Sequence, residues 1–156
     1  MELVLLIGIP AAGKSTFYRR HLARTHFRVN LDTLKKRSRE LRVVLGCIAE
    51  RKPFAVDNTN VLADDRARYI PLAKAAGYRV VGYWFDCPVK DALNRNARRT
   101  GAAWVPPHVI HTFQAKSEKP DWDEGFDALF RAIIEGRRFV VKRMRRRAKK
   151  PTRESK

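Results

Sequence analysis

The 156 residues predict an α/β fold, a mainly parallel sheet of four to five strands flanked by helices, with a helical lid and a basic C-terminal tail. Three observations lead there. Apolar runs alternate with helical patterns through the first hundred residues, as successive βαβ units require. The runs are continuously apolar, so both faces of each strand are buried, which is the habit of parallel sheets. A glycine-containing loop links the first run directly to the first helix. The length suits one domain, because a second core would have too few residues to bury its own surface.

Taken in order, strands are expected at Leu3 to Ile7, Phe27 to Asn30, Phe54 to Asp57 and Val80 to Phe85. Helices are expected from Lys14 to about Thr25, Thr33 to about Arg51, and Ala63 to Ala76, where Gly77 stands as a C-terminal cap. Pro88 opens a helix to about Arg99 at the favoured first-turn position. Thr100 to Val105 interrupts the pattern and Pro106-Pro107 restarts a helix to about Ala115, so residues 95–115 read as a lid. Trp104 is read as the lid's anchor in preference to a base-stacking platform. Phe126 to Ile134 has helical spacing, but Ala132-Ile133-Ile134 and Phe139-Val140-Val141 around Glu135-Gly136-Arg137-Arg138 read in preference as a β-hairpin. Residues 1–141 then form the domain and 142–156 a flexible basic tail.

The first loop carries the chemistry. Gly8-Ile9-Pro10-Ala11-Ala12-Gly13-Lys14-Ser15 is G-x-x-x-x-G-K-[ST], and it sits between a strand and a helix as its mechanism demands. Gly8 and Gly13 let the loop turn inward so that backbone N–H groups surround phosphate oxygens. The helix dipole favours the anion, and Lys14 reaches the outer phosphates. Residues Gly8 to Thr16 are therefore the expected nucleotide cradle, for ATP or another nucleoside triphosphate, with Ser15 on Mg²⁺. The motif makes the fold a P-loop one. No N-K-x-D guanine-reading motif follows, which turns the reading from a GTPase toward a compact kinase.

Asp32 follows the second strand on the rim where open α/β sheets bind ligands. It reads equally as a general base for an acceptor hydroxyl and as the cap of the helix starting at Thr33. Asp57 ends the third strand, where P-loop enzymes keep an acid that orients magnesium or its waters. Asn58-Thr59-Asn60 reads equally as a turn and as a substrate contact. Arg95, Arg98 and Arg99 share one helix face before the lid; they either pair with the helix dipole or bring bidentate cations to a transferring phosphoryl group.

Charge constrains the partner. Lys and Arg number 34 against 16 Asp and Glu, a net charge of +18, which calls for a polyanion. Residues 137–156 hold 11 of the bases and one acid, Glu154, giving +10; the remainder carries 23 minus 15, or +8. No stretch approaches the ~18–20 apolar residues of a membrane span. The apolar start lacks a basic leader and runs into the loop, so it reads as a strand and the location as cytoplasmic. Cys47 and Cys87 sit in unrelated contexts and read as packing thiols.

Together, G-I-P-A-A-G-K-S-T-F, V-N-L-D-T-L, V-D-N-T-N, R-A-R-Y, R-N-A-R-R and V-P-P-H-V-I resemble, in order and spacing from about Leu3 to Phe130, the kinase domain of the polynucleotide 5′-hydroxyl kinase family. The resemblance implies transfer of a γ-phosphate to a polynucleotide 5′-hydroxyl on DNA or RNA. It matches Asp32 to the general base, Lys14 and Ser15 to the phosphate and metal residues, and Arg95 and Arg99 to the lid arginines. Asn58, Asn60 and Lys35 become substrate-side candidates, and the basic tail a contact for nucleic-acid phosphates. The family often has Arg where this chain has Leu31. No D-x-D-x-T phosphatase signature occurs, so a kinase without 3′-end processing is expected. A small-molecule kinase on the same scaffold is the rival reading, and a nucleotide-switched RNA-binding module a more distant one.

Overall fold

The computed structural model describes residues 1–148; residues 149–156 of the expected basic tail lie outside the described residues. Six strands form one sheet: β1 Glu2–Ile7, β2 Phe27–Val29, β3 Phe54–Asp57, β4 Arg79–Phe85, β5 Ala128–Glu135 and β6 Arg138–Arg143. Their order is β2-β3-β1-β4-β5-β6; the first five are mutually parallel and β6 is antiparallel on the edge. The expected parallel α/β sheet is present, with one strand more than the largest count read from the sequence.

β1 shows why its run is continuously apolar. Val4 and Leu6 join Ala55, Val81, Phe85 and Phe17 on one face, while Leu3, Leu5 and Ile7 join Phe54, Val56 and Tyr69 on the other. Two buried faces leave no place for a polar residue until the strand ends at Gly8.

The hairpin reading holds: Glu135 pairs Arg138 across Gly136-Arg137. Helical spacing over 126–134 is overridden because β5 also pairs in parallel with β4, from Val81↔Ala128 to Phe85↔Ala132. β6 runs to Arg143, past the boundary at 141, and Met144 N–H donates to Leu129 O at 2.8 Å. Being antiparallel, β6 returns the chain to the end of the sheet opposite the glycine loop, and the basic residues that follow leave from there.

Three expected helices are interrupted. Lys14 to Thr25 is α1 Lys14–Phe17 followed by a π-helical turn, Tyr18–Leu22, with Ala23 N–H bonded to Tyr18 O. Thr33 to Arg51 is α2 Leu31–Leu34 and α3 Arg37–Ala49, broken at Lys35, where φ is +70°. Ala63 to Ala76 is α4 Ala63–Arg66 and α5 Ile70–Ala75. Pro71 explains the last break, since its ring and missing N–H tolerate only the first turn of a helix. Gly77 ends α5 with φ +77°, as expected. α6 Val89–Ala97 and α7 Pro107–Lys116 begin behind Pro88 and Pro106.

Between α6 and α7 the lid segment is held by Asn96, which is buried and exchanges two hydrogen bonds with Val105, Nδ2 to O at 2.7 Å and N–H to Oδ1 at 3.1 Å. Trp104 is no anchor: its side chain is exposed, because the Asn96 clamp fixes the loop without it. None of the described helices is long and apolar enough to cross a membrane.

Candidate active site

The glycine loop leaves β1 at the carboxyl end of the sheet. Gly8 N–H donates to Thr59 O at 2.8 Å, tying the loop to the segment after β3. Gly13 has φ +99°, and a Cβ there would lie 2.8 Å from Ile134 Cδ1 and 3.2 Å from the Phe139 ring. Conformation and space thus both demand glycine. The hairpin β5–β6 supplies that wall, so the loop rests on residues over a hundred positions away.

Lys14 arches back over the loop, donating from Nζ to Gly8 O at 2.8 Å and Ile9 O at 2.7 Å. Burial lowers its pKa to about 8; Asp57 and Asp32 oppose the shift and Arg99 adds to it. Four of the expected residues therefore act on one another here. Beside the loop lies a cavity of about 210 Å³ whose walls include Ala12, Cys87, Arg95, Ile133 and Ile134.

Ser15 and Asp57 come together as a donor set for a hard cation. Ser15 Oγ donates to Asp57 Oδ2 at 3.0 Å, and the Asp57 side chain is 1% exposed. A hydroxyl and a buried carboxylate on adjacent elements fit Mg²⁺, which prefers oxygen ligands and keeps part of its water shell. Arg28, from the edge strand β2, was not foreseen. It donates to Asp57 Oδ2 from Nε at 2.8 Å and from Nη2 at 2.6 Å, and Nη2 also reaches Ser15 Oγ at 3.1 Å.

Asp32 lies in the first turn of α2, exposed, and it does not cap the helix. The cap is Asn30, whose Oδ1 accepts from Thr33 N–H at 3.1 Å while its Nδ2 donates to Asp57 O at 2.6 Å. The cap and the helix start lie two residues earlier than expected, which moves Asp32 inside the turn and leaves its carboxylate uncommitted.

The two asparagines behave differently from one another. Asn60 is buried at φ +47°, and its Nδ2 donates to Leu6 O at 2.9 Å. Its amide is spent on the β1 end, so the structure does not bring it to the acceptor rim. Asn58 accepts from Leu31 N–H at 2.8 Å and donates to Glu40 Oε2 at 2.8 Å. It holds the turn that carries Asp32. Lys35 is exposed at the end of that turn, in the strained conformation that separates α2 from α3.

Behind Asn58 stands a group that sequence reasoning missed. Glu40 is 2% exposed and accepts from Tyr69 Oη at 2.6 Å and from Arg37 Nη1 at 2.9 Å, besides Asn58. Burial and the Glu40 carboxylate push the Tyr69 hydroxyl pKa strongly up, so it stays a donor. The available signals were the Arg37–Glu40 i,i+3 spacing and the tyrosine of R-A-R-Y, but neither alone says that the carboxylate is buried.

Of the arginines, Arg95 Nη1 donates to Ala11 O at 3.2 Å and to Cys87 Sγ at 3.2 Å, placing its cation against the loop. Cys87 is thus more than a packing thiol. Arg99 donates to Ala103 O at 3.3 Å, and burial, Arg19 and Arg95 all disfavour its charge. Arg98 caps α6 and is exposed, so the shared face narrows to two.

A parallel sheet with this cradle at its carboxyl end defines a P-loop nucleotide-binding domain with a kinase-type architecture. The chain belongs to the AAA domain family, whose profile matches residues 3–44 and 39–120. It is similar to the bifunctional polynucleotide phosphatase/kinase of Schizosaccharomyces pombe, 26% identical over 129 residues, which is 80% of this chain and 32% of that protein. A protein of Acanthamoeba polyphaga mimivirus described in similar words is 26% identical over 135 residues, 82% of this chain and 32% of its own length. The resemblance read from the six motifs agrees with these relatives, of whose length the chain spans about a third. Among solved structures, Chaetomium thermophilum Kti12 in complex with ADP-AlF3 aligns with a TM-score of 0.66 at 16% identity, over 83% of this chain and 87% of that one. A gluconokinase from Sinorhizobium meliloti 1021 aligns with a TM-score of 0.62 at 17% identity, over 85% and 82%. Both share the fold.

Proposed function

We propose that this domain transfers the γ-phosphate of ATP to the 5′-hydroxyl of a polynucleotide, DNA or RNA. The observation that carries the reading is Asp32: an exposed, uncapped carboxylate on the acceptor rim, close enough to the cradle for its charge to act on Lys14. Asp32 takes the acceptor's proton as the new O–P bond forms in line with the bond breaking to ADP. Lys14 exchanges its two carbonyl partners for phosphate oxygens, and Arg95 and Arg99 hold charge on the transferring group. Ser15 and Asp57 would hold Mg²⁺, which neutralises phosphate charge when bound. The cavity beside Ala12 receives the donor's nucleoside.

Polynucleotide, as opposed to a sugar, is favoured by the net charge of +18 and by the similarity to two polynucleotide phosphatase/kinases. Lys35 lies beside Asp32 and binds the phosphate next to the reacting hydroxyl. The basic residues that follow β6 start from the end of the sheet opposite the cradle and add positive charge for nucleic-acid phosphates.

The deciding assay offers γ-labelled ATP with 5′-hydroxyl DNA, 5′-hydroxyl RNA, a nucleoside 3′-phosphate, a free nucleoside and gluconate. The expected order of kcat/KM rises from nucleoside to nucleoside 3′-phosphate to strand, with Lys35→Ala harming only phosphate-bearing acceptors. A free nucleoside or sugar as good as a strand would replace this reading with a small-molecule kinase.

A further inference from the structure

Arg28 lies where the metal donors meet. Its guanidinium makes two bonds to Asp57 Oδ2, 2.8 and 2.6 Å, and one to Ser15 Oγ, 3.1 Å. The Ser15 proton is already given to Asp57, at 3.0 Å, and Arg28 takes one of the two lone pairs that Ser15 would offer a cation. On Asp57, Oδ2 receives three donors at once. The Arg28 side chain is 35% exposed and its guanidinium carbon lies 5.6 Å from the centre of the Tyr18 ring, so it has an aromatic face to lean on and open solvent to move into.

We propose that Arg28 is a resident counter-cation of the metal site, which keeps Ser15 and Asp57 assembled before nucleotide arrives and which Mg²⁺ must displace. The guanidinium stands against both oxygens that would ligate a metal, so the repulsion between two cations at that distance opposes their joint occupancy. In the metal-free domain Arg28 gives a buried carboxylate its directly hydrogen-bonded counter-charge. Metal without nucleotide is thereby disfavoured. Mg²⁺ carried by a nucleotide enters because the phosphates add their own ligands.

The inference rests on assigning Ser15 and Asp57 to the metal, and loss of Mn²⁺ binding in Ser15→Ala tests that assignment separately. Phosphoryl transfer enters neither readout. In a titration of the nucleotide-free 156-residue chain followed by Mn²⁺ paramagnetic resonance, Arg28→Gln should bind about tenfold tighter than wild type, the size expected for freeing a charge-assisted bond. Arg28→Lys, which keeps the charge on a shorter, single-point donor, should fall between them. The melting temperature of Arg28→Gln should drop without metal and recover with saturating Mn²⁺. Equal or weaker Mn²⁺ binding in Arg28→Gln overturns the proposal. So does an equal gain in Arg24→Gln, which would reflect general charge, and so does a melting-temperature loss that is the same with and without metal.

Discussion

The donor side of the cleft is one run of chain, Gly8 to Thr16, between a strand and the helix it opens. The acceptor side is assembled from three stretches: Asn30 and Asp32 on α2, Glu40 on α3, and Asn58 with Tyr69 beyond β3. The donor side takes its shape from its own backbone and uses its neighbours for walls, such as Ile134 and Phe139 against Gly13, and for single ties, such as Gly8 N–H to Thr59 O. The acceptor side needs them for position, since Asp32 rides on a four-residue helix whose first turn is pinned by two asparagines, Asn30 and Asn58. A motif that folds on itself tolerates change around it. A residue held through a chain of hydrogen bonds inherits the failure of every link.

The largest effect should come from the donor side itself. Lys14→Ala should lower phosphoryl transfer about 10³-fold or more while the circular dichroism spectrum is kept, because the ammonium serves charge and adds little packing. A folded variant with ordinary turnover would end the cradle assignment. Asp32→Asn should cost about 10²-fold in kcat with little change in the melting temperature, since Asn30 is the cap and Asp32 carries no structural bond. Full activity in Asp32→Asn, with a melting-temperature loss in Asp32→Ala alone, would return Asp32 to the role of a cap.

Glu40→Gln sharpens the contrast between the sides. The carboxylate accepts from three donors, so an amide NH₂ must face one of them, Asn58, Tyr69 or Arg37. We expect a stability loss of about 1–3 kcal/mol and roughly a tenfold drop in kcat/KM for the acceptor. The nucleotide Kd should not move. If nucleotide affinity falls as far as acceptor kcat/KM, the two sides are one cooperative unit and the comparison fails.

The same contrast explains what was legible beforehand. The sheet's parallel strands, the cradle and the hairpin are written in local patterns: apolar runs, a motif with its flanks, and a four-residue turn. Asp32, Asp57 and Arg95 were legible as candidates because they follow a strand end or precede a break. The breaks at Lys35 and at 67–69 were not found, because residues around them have helical propensity and tertiary bonds overrule it. Asn60 looked like Asn58 in sequence, and only its positive φ and buried amide separate them. Arg28 and Glu40 were invisible for one reason: a charged side chain on a short edge strand or an amphipathic helix normally faces water, and its partners lie 29 and 18 positions away.

The smallest effect expected is a proton. Lys14 in the ligand-free domain has its pKa lowered to about 8 by burial, from an ordinary value of 10.5. Between those values the unfolded chain holds more protons than the folded one, so this group's contribution makes the domain more stable as pH rises through that window. Below about 8 the desolvation cost is fully present. Nucleotide phosphates favour the ammonium and raise its pKa again, so binding must take up protons where the free enzyme has lost them. At pH 8 metal-free ADP should bind with an uptake of about half a proton, read as the slope of the calorimetric enthalpy against buffer ionisation enthalpy. At pH 6.5 the uptake should vanish. Above pH 8 affinity should weaken by up to about tenfold per unit. Lys14→Met should abolish the uptake, whereas Glu40→Gln, which disturbs only the acceptor side, should leave it unchanged. An uptake that survives Lys14→Met would place the titrating group elsewhere and break the claim that the donor side is self-contained.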